Sequence, residues 1–214
     1  MNHYDIAEIY GEVVQGEGFH AGHTCGVLRF GKCNLWPSKE KLSTTCPWCD
    51  TPNLHDHQPQ SIHQVVSSME MMHDDHPNHG LIITGGEPLL QLDAALLGIL
   101  SDLFPWIDIE TNGTLPLKCT KPENVFISCS PKANLLKIER VDWYKVLIPD
   151  KQHLLPIVLE RASSERAAVY VQPVEIGGYS SEITQENIRK CLAICNQYGY
   201  VRLSIQMHKI IGVR

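Results

Sequence analysis

From about Leu81 onward, short β-branched runs alternate with stretches of helical periodicity, and this alternation confines the chain to βα units built around a mostly parallel sheet. The runs that read as strands are Gly26–Phe30, Leu81–Thr84, Trp106–Glu110, Val125–Ser128, Tyr144–Ile148, Ala168–Gln172 and Val201–Gln206. Ser61 and Gln64 form a capping-box signature, after which Ile62, Val65, Val66, Met69 and Met72 repeat at helical spacing, predicting a helix that ends near His76–Pro77. A second apolar helix is expected from about Leu92 to Leu103, stopped by Pro105, and a third after a Thr184 cap, ending at Gly199. Lys151–Ser164 reads as either loop or helix because Pro156 interrupts its apolar run. Asn34–Thr45 has no clear period and reads as an insertion loop with room for one helical turn.

Composition narrows the partners. A chain of 214 residues with 43% apolar content can bury one sizeable core, so a single domain over residues 1–214 is expected. A net charge of -6 and the lack of any long Lys/Arg run give no electrostatic footprint for nucleic acid or an anionic membrane, which favours a small-molecule partner. No run of eighteen apolar residues occurs and the opening MNHYDIAEIY lacks a signal pattern, so a cytoplasmic location is expected. Eight cysteines in a chain this long and regular point to metal or catalytic use in a reducing compartment rather than to a disulfide scaffold.

Cys46-Pro47-Trp48-Cys49 puts two thiols within reach of one metal centre, and Cys33 precedes the pair by twelve intervening residues. Three cysteines fit an iron-sulfur cube with one iron left open for a chelating small molecule. The same spacing also fits a zinc site in which Cys33, or His55 and His57, completes the pair. Cys191 and Cys195 fall with Ile188, Leu192 and Tyr198 on one helical stripe and read as small core residues. Cys25 and Cys129 lie in or beside strands and Cys119 in a loop, none with a spaced partner set.

Polar motifs recur where strands end, the edge at which α/β folds place their ligands. Thr84-Gly85-Gly86-Glu87-Pro88 lets backbone groups approach a ligand closely and offers Glu87 to an ammonium group; Glu110-Thr111-Asn112-Gly113 and Ser130-Pro131-Lys132 follow the next two strands. Each alone is an ordinary turn, but three in succession outline a rim. Near the N-terminus Gln15-Gly16-Glu17-Gly18 precedes Arg29, which lies among Val27, Leu28 and Phe30 and must have a partner if it is buried.

These motifs, with Arg29–Leu35, Cys46–Thr51, Gln172-Pro173 and Gln206–Gly212, resemble the 7-carboxy-7-deazaguanine synthase family of radical S-adenosylmethionine enzymes over nearly the whole chain. Most radical S-adenosylmethionine enzymes have three residues between the first two cysteines. The twelve here depart from that, and Cys33-Asn34-Leu35-Trp36 resembles a subgroup with a long insertion. The resemblance implies an α/β fold, an incomplete TIM-like (βα) barrel of about six mostly parallel strands with a cluster-binding insertion loop, forming a homodimer. It implies conversion of 6-carboxy-5,6,7,8-tetrahydropterin into 7-carboxy-7-deazaguanine with loss of ammonia, on a route to queuosine and other deazapurines. Electrons would come from a flavodoxin or ferredoxin.

Carried over by motif, Cys33, Cys46 and Cys49 would ligate a [4Fe-4S] cluster, and Thr51 would supply a hydroxyl to Mg²⁺, an ion that prefers oxygen ligands. Trp48, Asp50, Gly86, Glu87, Glu110, Ser130, Pro131, Lys132, Gln172, Pro173, Val174 and Glu175 would meet S-adenosylmethionine. Val14, Gln15, Gly16, Glu17, Arg29, Thr84, His208 and the α-carboxylate of Arg214 would meet the pterin. Two other readings stand beside this one: a radical S-adenosylmethionine activase that makes a glycyl radical on a partner protein, and a zinc-stabilised binding protein without catalysis.

Overall fold

Alternation within the strands decides which way the sheet curls. Leu28, Phe30, Leu81, Ile83, Ile107, Ile109, Val146, Ile148, Val169 and Val171 point to one side and form the main core with the helices. The residues between them, among them Arg29, Thr84, Glu110, Lys145 and Gln172, face an interior cavity. Fully burying such an aliphatic side chain stabilises the fold by about 1.5–3 kcal/mol, so the apolar side holds the helices and the polar side is left for a ligand.

The computed structural model describes residues 3–36, 45–47, 49, 51 and 56–213. In chain order the elements are β1 (His3–Val14), β2 (Thr24–Phe30), β3 (Gln58–Ser61), α1 (Ile62–Asp75), β4 (Gly80–Gly85), α2 (Ala94–Leu103), β5 (Ile107–Thr111), β6 (Val125–Cys129), β7 (Trp143–Ile148), α3 (Leu155–Glu165), β8 (Ala168–Pro173), α4 (Glu182–Gln197), β9 (Arg202–Leu203) and α5 (Met207–Ile211). They form one nine-stranded sheet in the order β3-β1-β2-β4-β5-β6-β7-β8-β9. From β2 through β9 each neighbour is parallel, while β1 and β3 run antiparallel at one edge. The β5–β6 and β6–β7 crossovers carry no helix among the described residues, which leaves an incomplete (βα) barrel.

The segment after β1 spans the gap between the sheet's two ends. The Gly16 carbonyl accepts from Met207 N at 3.0 Å and Gly18 N donates to Ser204 Oγ at 3.4 Å, so the chain leaving β1 meets the chain leaving β9. A Cβ on Gly16 would sit 1.9 Å from His208 Nδ1; only glycine permits that approach. Below it, His20 stacks on Trp106 at 4.2 Å and its Nδ1 hydrogen-bonds Asp108 Oδ1 at 2.7 Å, while Phe19 stacks on Trp143, plugging the floor with aromatic rings.

Several expectations need correction. The mostly parallel sheet agrees with the sequence, with seven parallel strands among the described residues; what the sequence did not show is β1 and β3, paired antiparallel at one edge. β1 was hidden because its acids, Gly11 and two irregularities break the period of two; β3, Gln-Pro-Gln-Ser, has no apolar residue to signal it and sits at an edge, where proline is tolerated. β9 is shorter than Val201–Gln206: Ser204 N still donates to Val171 O on β8, but Gln206 N donates to the Tyr179 hydroxyl instead of extending the ladder. The cap of α4 is Ser181, whose Oγ accepts from Thr184 N at 3.2 Å; Thr184 is buried inside the helix and its hydroxyl donates to Ile176 O. Leu192 is 44% exposed, so the buried stripe of α4 is Thr184, Asn187, Cys191 and Ile194. Lys151–Ser164 resolves into a short 3-10 turn followed by α3, with Pro156 in the helix's first turn, where a missing N–H costs nothing. The Ser61 capping box and the end of α1 before His76 agree with the sequence. Most of the expected insertion loop lies outside the described residues.

Candidate active site

Glycines and short polar side chains at the strand ends bring four loops together. β2 runs into Gly31, Lys32 and Cys33, and the backbone N–H groups of Gly86 and Glu87 grip that segment through Phe30 O and Lys32 O at 3.1 and 3.0 Å. Gly85 makes this possible: its φ is +131°, and a Cβ there would meet Phe30 O at 2.0 Å. From the end of β5, Asn112 Nδ2 donates to Asn34 Oδ1 at 3.1 Å and lies 4.0 Å from Cys33 Sγ. Lys151, after β7, donates to Thr45 O at 2.7 Å and so holds the chain entering Cys46. The Thr51 hydroxyl donates to Gly85 O at 3.3 Å, tying the residue after the cysteine pair back to the same glycine turn.

The three cysteines of interest are half-buried, and none of the eight forms a disulfide. Cys46 and Cys49 share a side-chain hydrogen bond, which together with burial pushes the Cys46 thiol up, while Lys132 and Lys151 pull it down. Burial raises the Cys33 thiol, and nearby Glu87 and Cys49 add to the effect. Cys25 and Cys191 are fully buried, each pushed up to about 12, chiefly by that burial, as expected of inert packing residues. His57 pairs with Asp5 at 3.1 Å and packs against Gly31; His55 lies outside the described residues.

Beside the cysteine loop the barrel interior forms a cavity of about 320 Å³. Of the residues expected to meet a pterin, Val14, Gln15, Gly16, Glu17, Arg29, Thr84 and His208 all line it, and Arg214 lies outside the described residues. Of those expected to meet the cofactor, Glu110, Ser130, Lys132, Gln172, Pro173, Val174 and Glu175 line it, as does Thr51. Gly86, Glu87 and Pro131 do not, and Trp48 and Asp50 fall outside the described residues.

Glu87 therefore differs from its sequence expectation. It is 0% exposed, and its carboxylate accepts from Leu89 N at 3.0 Å, Thr111 Oγ1 at 2.8 Å and Asn112 N at 2.8 Å, so it ties the end of β4 to the end of β5. Burial raises its pKa against those three bonds. Arg29 has the partners that burial demands: Nε donates to Glu8 Oε2 and Nη2 to the Tyr10 hydroxyl, both at 3.1 Å. Glu110 accepts from the Thr84 hydroxyl at 3.0 Å; burial raises its pKa, and Asp108 adds to this while Thr84 and Arg29 oppose it.

Sequence reasoning missed Tyr10, Lys145, Leu147, Gln206 and Lys209 in the lining, and Asn112 and Lys151 around the cysteine loop. A signal existed for Lys145: in Trp143–Ile148 a single charged residue interrupts an apolar strand at an inward position.

No family model matches the chain. Among curated proteins, it is 30% identical to the 7-carboxy-7-deazaguanine synthase of Bradyrhizobium diazoefficiens over 220 residues, covering 99% of both chains. It is 31% identical to the 7-carboxy-7-deazaguanine synthase of Bordetella pertussis over 219 residues, covering 98% of this chain and 99% of the relative. Among solved structures, it superposes on QueE from Escherichia coli with a TM-score of 0.72 at 22% identity, covering 96% of this chain and 95% of that one, a likeness of fold.

Proposed function

Because this chain belongs to the 7-carboxy-7-deazaguanine synthase family, we propose that it converts 6-carboxy-5,6,7,8-tetrahydropterin into 7-carboxy-7-deazaguanine with loss of ammonia. Family membership leaves no ground for the glycyl-radical activase or the non-catalytic zinc protein. One observation carries the reading to this chain's own residues: a polar cavity of about 320 Å³ inside the barrel opens beside the loop that bears Cys46, Cys49 and Thr51.

The donor set suits a [4Fe-4S] cluster by its chemistry, although among the described residues no three ligating side chains are gathered closely enough to hold a single metal ion. Three thiols stand at one end of the barrel, two in mutual contact and the third within electrostatic reach, and Lys132 and Lys151 favour the thiolate form that binds metal. Cys33, Cys46 and Cys49 would hold the cluster, which when bound supplies the one-electron reduction that cleaves S-adenosylmethionine. Asn112 and Lys151 keep the loops bearing the thiols in place.

Ser130, Lys132 and the Gln172–Glu175 strand end would receive S-adenosylmethionine, and the Thr51 hydroxyl would offer Mg²⁺ an oxygen ligand at the cavity edge. On the far side, Gln15, Glu17, Arg29, Thr84 and His208 would hold the pterin, with Arg29 suited to its carboxylate through paired N–H donors. The rest of the proposal comprises one domain over residues 1–214, a homodimer, a flavodoxin or ferredoxin as reductant and a cytoplasmic location. Among the described residues no helix is long and apolar enough to cross a membrane.

The test is to incubate the anaerobically reconstituted protein with the carboxypterin, S-adenosylmethionine, Mg²⁺ and dithionite and to analyse the products by mass. The deazaguanine acid is expected; 5′-deoxyadenosine accumulating without it would overturn the substrate assignment.

A further inference from the structure

One cation in the cavity was singled out by no motif. Lys145, third residue of β7, is 7% exposed and its Nζ lies on Glu17 Oε2. The other oxygen of Glu17 accepts from Gln172 Nε2 at 3.2 Å, Gln172 Oε1 accepts from Ser204 Oγ at 2.9 Å, and Ser204 Oγ accepts from Gly18 N at 3.4 Å. The circuit leaves the chain at Glu17 and returns to it at Gly18, with Glu17, Lys145, Gln172 and Ser204 all buried. Other lining cations have their own partners: Arg29 is held by Glu8 and Tyr10, Lys132 donates to Ser130 Oγ, and Lys209 faces Glu175 at 3.8 Å.

An ionised carboxylate offers about four acceptor sites, and Lys145 with Gln172 occupies only part of that capacity. The remainder suits a ligand edge with two adjacent N–H donors, but only while the carboxylate stays ionised. Buried without a cation, it would take up a proton, and half of its accepting edge would become a donor. We infer, on the basis of the functional reading above, that Lys145 is a positioning residue for substrate recognition. It keeps Glu17 charged and aimed, so that the cavity reads the 2-amino and ring N–H edge of an aminopyrimidinone.

The direction with pH follows. Without Lys145, the buried Glu17 carboxylate loses the adjacent positive charge that favours its ionised form, so it holds a proton to higher pH. The binding defect is then largest on the acid side and fades as pH climbs and Glu17 ionises unaided. Burial, with Lys209 adding to it, presses the Lys145 ammonium itself down to about 8, and contact with an ionised Glu17 opposes that fall. Among the described residues, the other titratable groups around the pair are Tyr10 on β1, Arg29 on β2, Asp108 and Glu110 on β5, Lys132 after β6, Glu175 after β8, and His208 and Lys209 on α5. All are retained in the variants.

The experiment measures carboxypterin binding by reconstituted holoenzyme without S-adenosylmethionine, from pH 6 to 9, together with kcat and KM in turnover. Lys145→Met should raise Kd and KM by about threefold or more at pH 6, with a smaller change in kcat and a ratio that shrinks toward pH 9. Glu17→Gln with Lys145→Met should be no worse than Glu17→Gln alone. Should Lys145→Met not fold, as judged by circular dichroism, Lys145→Gln makes the same comparison with a neutral donor. Wild-type affinity in the Lys145 variant, a defect equal at every pH, or additive losses in the double variant would overturn the proposal. Wild-type protein that neither binds nor converts the carboxypterin would overturn the functional reading and this inference with it, and is recognisable because no variant is involved.

Discussion

Glu87 gives the sharpest stability prediction, because its carboxylate is wholly buried and all its bonds are internal. Oε1 accepts from Leu89 N and the Thr111 hydroxyl, and Oε2 accepts from Asn112 N. In Glu87→Gln the amide oxygen can keep the first two, but its NH2 is set against the Asn112 N–H, leaving a buried donor unsatisfied at a cost of about 1–3 kcal/mol. Glu87→Ala strands two backbone N–H groups and a hydroxyl, and about 3–5 kcal/mol is expected, less than a simple sum because the cost of burying the charge disappears with it. Burial raises the pKa of Glu87 in the folded state, so its contribution is full below the unfolded carboxylate value and declines as pH rises through the folded one. The gap between wild type and the Gln variant should therefore narrow with rising pH. Urea unfolding followed by circular dichroism at pH 5 and pH 8 measures both the gap and its slope. A Gln variant within about 0.5 kcal/mol of wild type at both pH values, yet unable to bind S-adenosylmethionine, would show that Glu87 serves the ligand and not the Asn112 turn.

Gly85→Ala should destabilise by more than about 1 kcal/mol and impair cluster loading, since its Cβ would strike Phe30 O at 2.0 Å; unchanged iron content and unfolding midpoint would contradict this. Thr51→Ala should weaken the Mg²⁺ dependence of turnover while leaving cluster assembly intact, and an equal Mg²⁺ response in both proteins would remove Thr51 from the metal site. Lys151→Met should slow cluster reconstitution and raise the pH at which the Cys46 thiol reacts with an alkylating agent, because it removes both the anchor on Thr45 O and a cation near Cys46; identical alkylation profiles would refute that role.

The parallel half of the fold was legible because β4 to β8 are buried, β-branched runs bounded by turn residues. β1 and β3 were not, since Glu8, Gly11 and Glu12 break one pattern and Gln-Pro-Gln-Ser has none to read. The Ser61–Gln64 capping box was readable because both halves are local, whereas Ser181 and Thr184 are each plausible caps, and only the fold separates them, by aiming Ser181 Oγ at Thr184 N and burying Thr184. The rim of the site could be read from its glycines and strand-end motifs. The circuit through Lys145, Glu17, Gln172 and Ser204 could not, because its members are up to 187 positions apart and meet only when the sheet curls. Glu87 shows the converse: a motif residue that looks chemical in sequence is taken up by three backbone and hydroxyl donors once the neighbouring strand is in place.

The most direct test of the account is electron paramagnetic resonance of the dithionite-reduced, anaerobically reconstituted protein with and without S-adenosylmethionine, alongside iron analysis of the same sample. About four irons per chain and a signal that shifts when S-adenosylmethionine is added are predicted. Zinc-loaded, colourless protein, or a cluster signal indifferent to the added cofactor, would contradict it.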